Sequence, residues 1–163
     1  MCLNTITKKF NPPDPTEREA WKIVTIYETG FDNLKQTHII TPFQYTDIHF
    51  DVWMQSPQST LQKQLVYWYG ELGERPPESD TEYLVGFHVF VTKEEAIAAK
   101  KMFPVPVVCV YIEHRFVIPV RVRNVTYEGT DASTYDGAYL NAQIKTLVAE
   151  EMYVSSEALK EKI

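Results

Sequence analysis

Three side chains in this sequence belong to residue types that could carry out a reaction. His88 lies in "GFHVF", where a glycine, a histidine and an aromatic residue would suit the close approach of a flat ligand. Glu128 lies in "TYEGTDAS", where a predicted strand gives way to a polar loop, a position typical of catalytic carboxylates. Removal of the initiator methionine would leave Cys2 at the N-terminus, where its free amine could act as a base for its own thiol.

Each of these residues also has a purely structural interpretation. His88 could be hydrogen-bonded at a sheet face and serve only packing. Glu128 could be a turn residue before a glycine, and Glu113 in "YIEH" is a rival carboxylate. Cys2 could belong to an apolar N-terminus with no activity. The residue types leave these alternatives open.

Other chemistry has no motif in the sequence. The four histidines show neither an i, i+4 pair nor an HExxH pattern, and Cys2 and Cys109 do not have metal-ligand spacing. There is no GxSxG nucleophile elbow and no phosphate-binding loop. We therefore predict no metal site and no hydrolase or nucleoside-triphosphatase activity.

Length and composition predict one globular domain over residues 1–163, because 44% of the 163 residues are hydrophobic and 23% are charged. The net charge of −6 argues against nucleic acid as a partner, since such affinity comes largely from neutralising phosphates. No apolar run approaches the length of a membrane span, and "MCLNTITKKF" does not resemble a signal peptide. We therefore expect a cytoplasmic protein without a membrane partner.

The first half of the chain predicts mainly extended structure. Residues 1–15 form an extended N-terminal segment in which "NPPDP" is a stiff connector. Residues 20–27, "AWKIVTIY", predict a strand, although Thr16 and Glu19 could instead cap a short helix. Residues 37–54 hold one or two further strands, with Ile48, Phe50 and Val52 alternating onto one face. The structure of residues 58–72 is left open.

The clearest unit is a strand followed by a helix. The strand "EYLVGFHVFV" would place Gly86, His88 and Phe90 on one face. Thr92 and Glu95 form a capping box, and "KEEAIAAKKMF" continues as a helix.

The second half adds two strands over residues 105–127 and a helical tail over residues 155–163. Between them, "IKTLVAEEMYV" fits either a strand or a helix. The predicted fold class is α+β: a single compact domain with a mixed, mostly antiparallel sheet and one or two packed helices.

The segments "MCLNT", "AWKIV" and "GFHVFVTKEEA", in that order, resemble a family of small uncharacterised proteins of phages and prophages. The resemblance covers about half of the chain. It implies a phage-encoded accessory protein, which would work in the host cytoplasm, and it implies no reaction.

The segment "GFHVFVTKEEAIAAKK" also resembles the second motif of ADP-ribosyltransferase-like domains, in which a strand leads directly into an alanine-rich helix. This resemblance implies NAD as cofactor, with Tyr27 or Phe90 stacking on nicotinamide, His88 beside it and Glu128 as the catalytic glutamate. Where that family has an arginine or histidine to hold NAD, this sequence has Lys22 and "YETG".

These observations favour a binding protein over an enzyme. The expected partner is a host protein or a small nucleotide-like molecule, in a counter-defence or host-modulation role. The ligand-binding candidates are Tyr27, Gly86, His88 and Phe90, and no cofactor is expected. The alternatives are an NAD-dependent ADP-ribosyltransferase and an enzyme with Cys2 as an N-terminal nucleophile.

Overall fold

The structure is a computed structural model that describes residues 5–29, 36–41, 47–56, 61–63, 82–84, 86–102, 114–131 and 144–160. Two helices and nine strands lie within these ranges. They are β1 (Thr5–Asp14), β2 (Arg18–Thr29), β3 (Gln36–Ile40), β4 (Trp53–Gln55), β5 (Leu61–Lys63), β6 (Glu82–Leu84), β7 (Phe87–Phe90), α1 (Lys93–Met102), β8 (His114–Asp131), β9 (Ile144–Tyr153) and α2 (Glu157–Lys160).

The main sheet is antiparallel and closes on itself. Its strand order is β1-β8-β2-β7-β9-β4, and β8 also pairs with β9. β2 meets β7 through a single register pair, Trp21 with Phe90. β7 pairs with β9, and β9 returns to β8, which completes a ring of four strands. β5 and β6 form a separate two-stranded ladder.

The ring encloses the largest apolar cluster, because alternate residues of each strand point to its interior. Met54 and Leu159 add to this cluster from β4 and α2. Its members from the four ring strands are Ala20, Val24, Phe87, Val89, Ile118, Val120, Val122, Val125, Leu147, Ala149 and Met152.

Helix α1 covers the outer face of the ring. Ala96 and Ala99 are buried there against Phe90, Ile23 and Val117. Phe87 and Val89 belong to the inner cluster and Phe90 to this outer one, so β7 alternates as the sequence predicted.

The predicted fold class is confirmed at the level of a mostly antiparallel sheet with two short helices, although the chain contains more strand than expected. The capping box is also confirmed. The Glu95 backbone N–H donates to Thr92 Oγ1 at 3.2 Å, and the Thr92 N–H donates to Glu95 Oε2 at 3.0 Å. Within the predicted helical tail, Glu157–Lys160 form the helix α2.

In the first half of the chain one prediction is confirmed and two others differ from the structure. The proline-rich segment is extended but does not act as a separate connector, because it is part of β1, which runs to Asp14 and pairs with β8 as an edge strand, where proline is tolerated. The strand predicted over residues 20–27 is confirmed as part of β2; Glu19 lies in the same strand, so the alternative helix cap does not form. Residues 48–52 do not form an alternating strand, because Asp51 adopts a φ of 59° in a turn before β4.

In the second half of the chain one prediction differs from the structure and one open alternative is decided by it. β8 runs without interruption to Asp131, so Glu128 lies within a strand and does not open a loop. Residues 144–153 are the strand β9 and not a helix, because they pair with β8 on one edge and with β7 and β4 on the other. Apart from β5, the segment 58–72 lies outside the described residues.

Gly86 generates the first testable prediction. A Cβ atom at this position would lie 2.7 Å from the carbonyl oxygen of Ala149 and 2.7 Å from Val148 Cγ1, both on β9. We expect Gly86→Ala to lower the free energy of unfolding by about 1–3 kcal/mol, because β7 would have to move away from β9. Urea unfolding checks this, and an unchanged midpoint would contradict the close approach.

Candidate functional site

The residues predicted from "GFHVF" are inside the protein. His88 is 5% exposed and Phe90 is 0% exposed. His88 Nδ1 lies 3.1 Å from the carbonyl oxygen of Gly86. Gly86 is itself buried, and the space a side chain would occupy there is filled by β9. The structure therefore places His88 and Phe90 on the packed strand β7 and Gly86 directly before it.

Lys22 approaches His88 from the neighbouring strand. Its ammonium nitrogen Nζ donates to the carbonyl oxygen of His88 at 2.6 Å, and the residue is only 4% exposed. Within the described residues no carboxylate pairs with Lys22. Burial lowers the pKa of Lys22 to about 7. Burial, with the charge of Lys22 as a second cause, lowers the pKa of His88 to about 3. His88 is therefore neutral at physiological pH.

Glu128 is engaged elsewhere. Its Oε1 accepts from Arg18 Nη1 at 2.7 Å, and Arg18 also pairs with Asp14. Glu128 is in register with Leu147, and His88 with Val148, so strand β9 lies between the two candidates. Two strand spacings amount to about 10 Å. The structure does not bring His88 and Glu128 together.

The remaining candidates are also apart. Tyr27 pairs with His38 of β3, away from the Trp21 pair that joins β2 to β7. Cys2, Cys109 and Glu113 lie outside the described residues. Across the described ranges, no three His, Cys, Asp or Glu residues are grouped so that they could hold a metal ion. No helix in these ranges is long and apolar enough to span a membrane.

A set of residues that the sequence analysis did not single out is brought together by β4, β9 and β8. Trp53 is in register with Tyr153, and Tyr153 with Arg121. Arg123 lies two residues further along β8 and therefore on the same side of the sheet. The intervening residues of these strands, Met54, Met152 and Val122, point to the core. We call Trp53, Arg121, Arg123 and Tyr153 the arginine–aromatic face.

Its guanidinium groups stack on its rings. Arg123 Cζ lies 4.2 Å from the ring centroid of Trp53, and Arg121 Cζ lies 4.2 Å from that of Tyr153. The two rings are 5.7 Å apart and inclined by 50°. The side chains of Arg121 and Arg123 remain 45% and 40% exposed. These stacks hold two cations at the surface in fixed positions.

Two carboxylates brace this face. Glu151 is paired with Arg123 and accepts from Gln55 Nε2 at 2.7 Å and from Asn124 Nδ2 at 3.3 Å. The Gln55 hydrogen bond, followed by Arg123, holds the pKa of Glu151 below its usual value. Asp51 accepts from the Tyr153 hydroxyl at 3.3 Å and from the Ser156 N–H at 3.1 Å. The face is therefore preorganised by its own hydrogen bonds.

A signal for this face exists in the sequence. "VRVRN" alternates apolar and basic residues, which predicts one buried and one solvated side of a strand. The pairing of that strand with Tyr153 and Trp53 depends on contacts between residues far apart in the chain. Single-sequence patterns do not report such contacts.

Comparison with known proteins found no match. No protein-family model matches the sequence, no curated protein matches it, and no solved structure matches the fold. The two resemblances drawn from the sequence therefore remain predictions.

Lys22 generates the second testable prediction. Its pKa falls from 10.5 to about 7 on folding, so between these values the unfolded chain binds a proton that the folded chain does not. Stability therefore falls as the pH is lowered from 10.5 to 7. We expect Lys22→Met to raise the free energy of unfolding at pH 7 by a few kcal/mol. The substitution recovers about 1.4 kcal/mol for each unit of the pKa shift and loses about 1 kcal/mol with the hydrogen bond to His88.

This gain should disappear near pH 10, where the unfolded lysine is itself losing its proton. Urea unfolding of wild type and Lys22→Met at the two pH values measures the difference. A variant that is less stable than wild type at pH 7 would contradict the uncompensated burial of the amine.

Proposed function

We propose that this protein acts by binding a partner protein through the arginine–aromatic face. The observation that carries the proposal is the pair of exposed guanidinium groups stacked on Trp53 and Tyr153. The resemblance to phage and prophage proteins suggests a host protein as that partner, in counter-defence or host modulation.

The composition of the face supports a role in binding. Tryptophan, tyrosine and arginine are the residue types that most often dominate the energy of protein interfaces. Val52, next to Trp53 in the chain, is 50% exposed. Burying these groups against a partner would remove apolar surface from water, at about 25 cal/mol per Å².

Preorganisation is the second support. Ordering a long arginine side chain on binding ordinarily costs about 0.5–1.5 kcal/mol. Arg121 and Arg123 are already held by the two rings, and Arg123 is also held by Glu151. The free-energy cost of ordering these side chains on binding is therefore smaller.

The positions of the enzyme candidates also favour binding over catalysis. His88 is buried and neutral, with Nδ1 beside the Gly86 carbonyl. Glu128 is ion-paired with Arg18 and separated from His88 by β9.

The test is capture of a partner by the immobilised protein from a bacterial host lysate, compared among variants. We expect Trp53→Ala to weaken capture about 30-fold, which corresponds to the roughly 2 kcal/mol of an interface hot spot. Quantitative mass spectrometry of the bound protein, followed by titration of the purified pair, gives the ratio.

Ile97→Ala is the matched control, because Ile97 is a large apolar residue of α1 that is 38% exposed and lies outside the face. Thermal melting establishes that both variants are folded. A partner that binds Trp53→Ala as tightly as wild type, or that is lost with Ile97→Ala instead, would show that the face is not the binding surface.

A further inference from the structure

The two arginines of the face retain unused hydrogen-bond donors. Arg121 donates through Nη1 to Glu17 at 2.8 Å, and Arg123 pairs with Glu151 through Nε. Within the described chain, the other N–H groups of these guanidiniums make no hydrogen bond. Each guanidinium carries five N–H donors in a planar fork that matches a carboxylate. The exposed edge of each fork is therefore available to an acidic group of another molecule.

The spacing of the two forks selects a shape of ligand. Arg121 and Arg123 are alternate residues of one strand, so their Cα atoms are about 6.7 Å apart. Alternate residues of an extended peptide have the same separation and point to the same side. Two acidic side chains at positions i and i+2 of an extended segment would therefore meet the two guanidiniums together.

The two resident carboxylates differ in how firmly they are held. Glu151 is 12% exposed and accepts from Arg123, Gln55 and Asn124. Glu17 is 45% exposed, and among the described residues Arg121 is its only partner. Exposed ion pairs contribute about 0–1 kcal/mol, so the Glu17 pair is readily exchanged for a carboxylate from a partner. Glu151 would stay in place and keep the Arg123 fork oriented.

We propose that the face recognises an extended acidic protein segment with carboxylates at alternate positions, and that Glu17 occupies the Arg121 position as an internal competitor until the segment binds. This inference rests on the proposed function and adds the chemistry of the partner. Glu17 then limits affinity for acidic segments and disfavours ligands that have a single carboxylate.

The test uses the full chain and a fluorescently labelled peptide in which glutamate alternates with serine, followed by anisotropy at low ionic strength. A peptide with glutamine in place of glutamate carries the same label and serves as the ligand control. We expect Arg123→Gln to weaken binding of the acidic peptide about tenfold, as for loss of a charge-assisted bidentate pair.

Glu17→Gln should instead tighten binding by up to about fivefold, because the competing exposed ion pair is removed. Glu94→Gln is the matched control: it removes the same charge from an exposed position on α1, outside the face. A Glu17→Gln variant that binds no tighter than Glu94→Gln would overturn the competitor role. Equal binding of the glutamine peptide would overturn the recognition of carboxylates.

The two proposals fail separately. If capture depends on Trp53 but the acidic peptide does not bind, the proposed binding function is supported and the proposal of an acidic ligand is refuted. If capture does not depend on Trp53, the proposed binding function of the face is refuted. The proposal of an acidic ligand, which rests on that function, is refuted with it, whatever affinity the face has for the peptide.

Discussion

The length of β8 is the constraint on which the rest of the structure depends. Its 18 residues pair with β2 and β1 along one edge and with β9 along the other. At about 3.3 Å per residue such a strand spans some 60 Å, too far for one straight strand in a domain of this size. Within this continuous strand Asn124 has a φ of 53°, outside the extended region, and the pairing of β8 with β9 shifts register between Val125 and Tyr127. Such irregularities bend a strand. The bend in β8 allows β7, which pairs with β9, to reach β2 and close the ring.

Closure of the ring determines which polar side chains of its strands are buried and in which protonation state. β7 is a central strand with both faces covered, so His88 had to be buried and neutral. The ring closes through one register pair between β2 and β7, and the Lys22 amine adds a second link between the same strands through the His88 carbonyl. This link places an amine where no carboxylate of the described residues balances its charge. The fold therefore carries a buried group that opposes its stability at neutral pH.

The local elements could be predicted from the sequence, but the pairing of strands far apart in the chain could not. The capping box of Thr92 and Glu95 and the alternation of Phe87 to Phe90 were predictable, because each depends on residues within one turn or one strand. The choice between strand and helix for residues 144–153 was not, since both periodicities fit and only pairing with β8 decides it. The burial of Lys22 could not be predicted either, because lysine is almost never fully buried. The arginine–aromatic face could not be predicted for the first of these reasons. Strands were predictable in its segments, but the register that brings its residues together was not.

The same alternation that builds the core also builds the proposed binding surface. Met54, Met152 and Val122 fill the interior, and their neighbours in the chain are left to line the outside. Hydrogen bonds to Asp51 and Glu151 then fix those outer side chains without covering them. A surface of this kind stays ordered in the free protein and is ready for a partner.

Hydroxyl-radical footprinting of the free protein and of its complex with the captured partner tests the central claim most directly. Oxidation of Trp53 and Tyr153 should fall in the complex, whereas oxidation of Trp21, which packs beside α1, should stay the same. Unchanged oxidation of Trp53 and Tyr153, with protection elsewhere on the chain, would contradict the account.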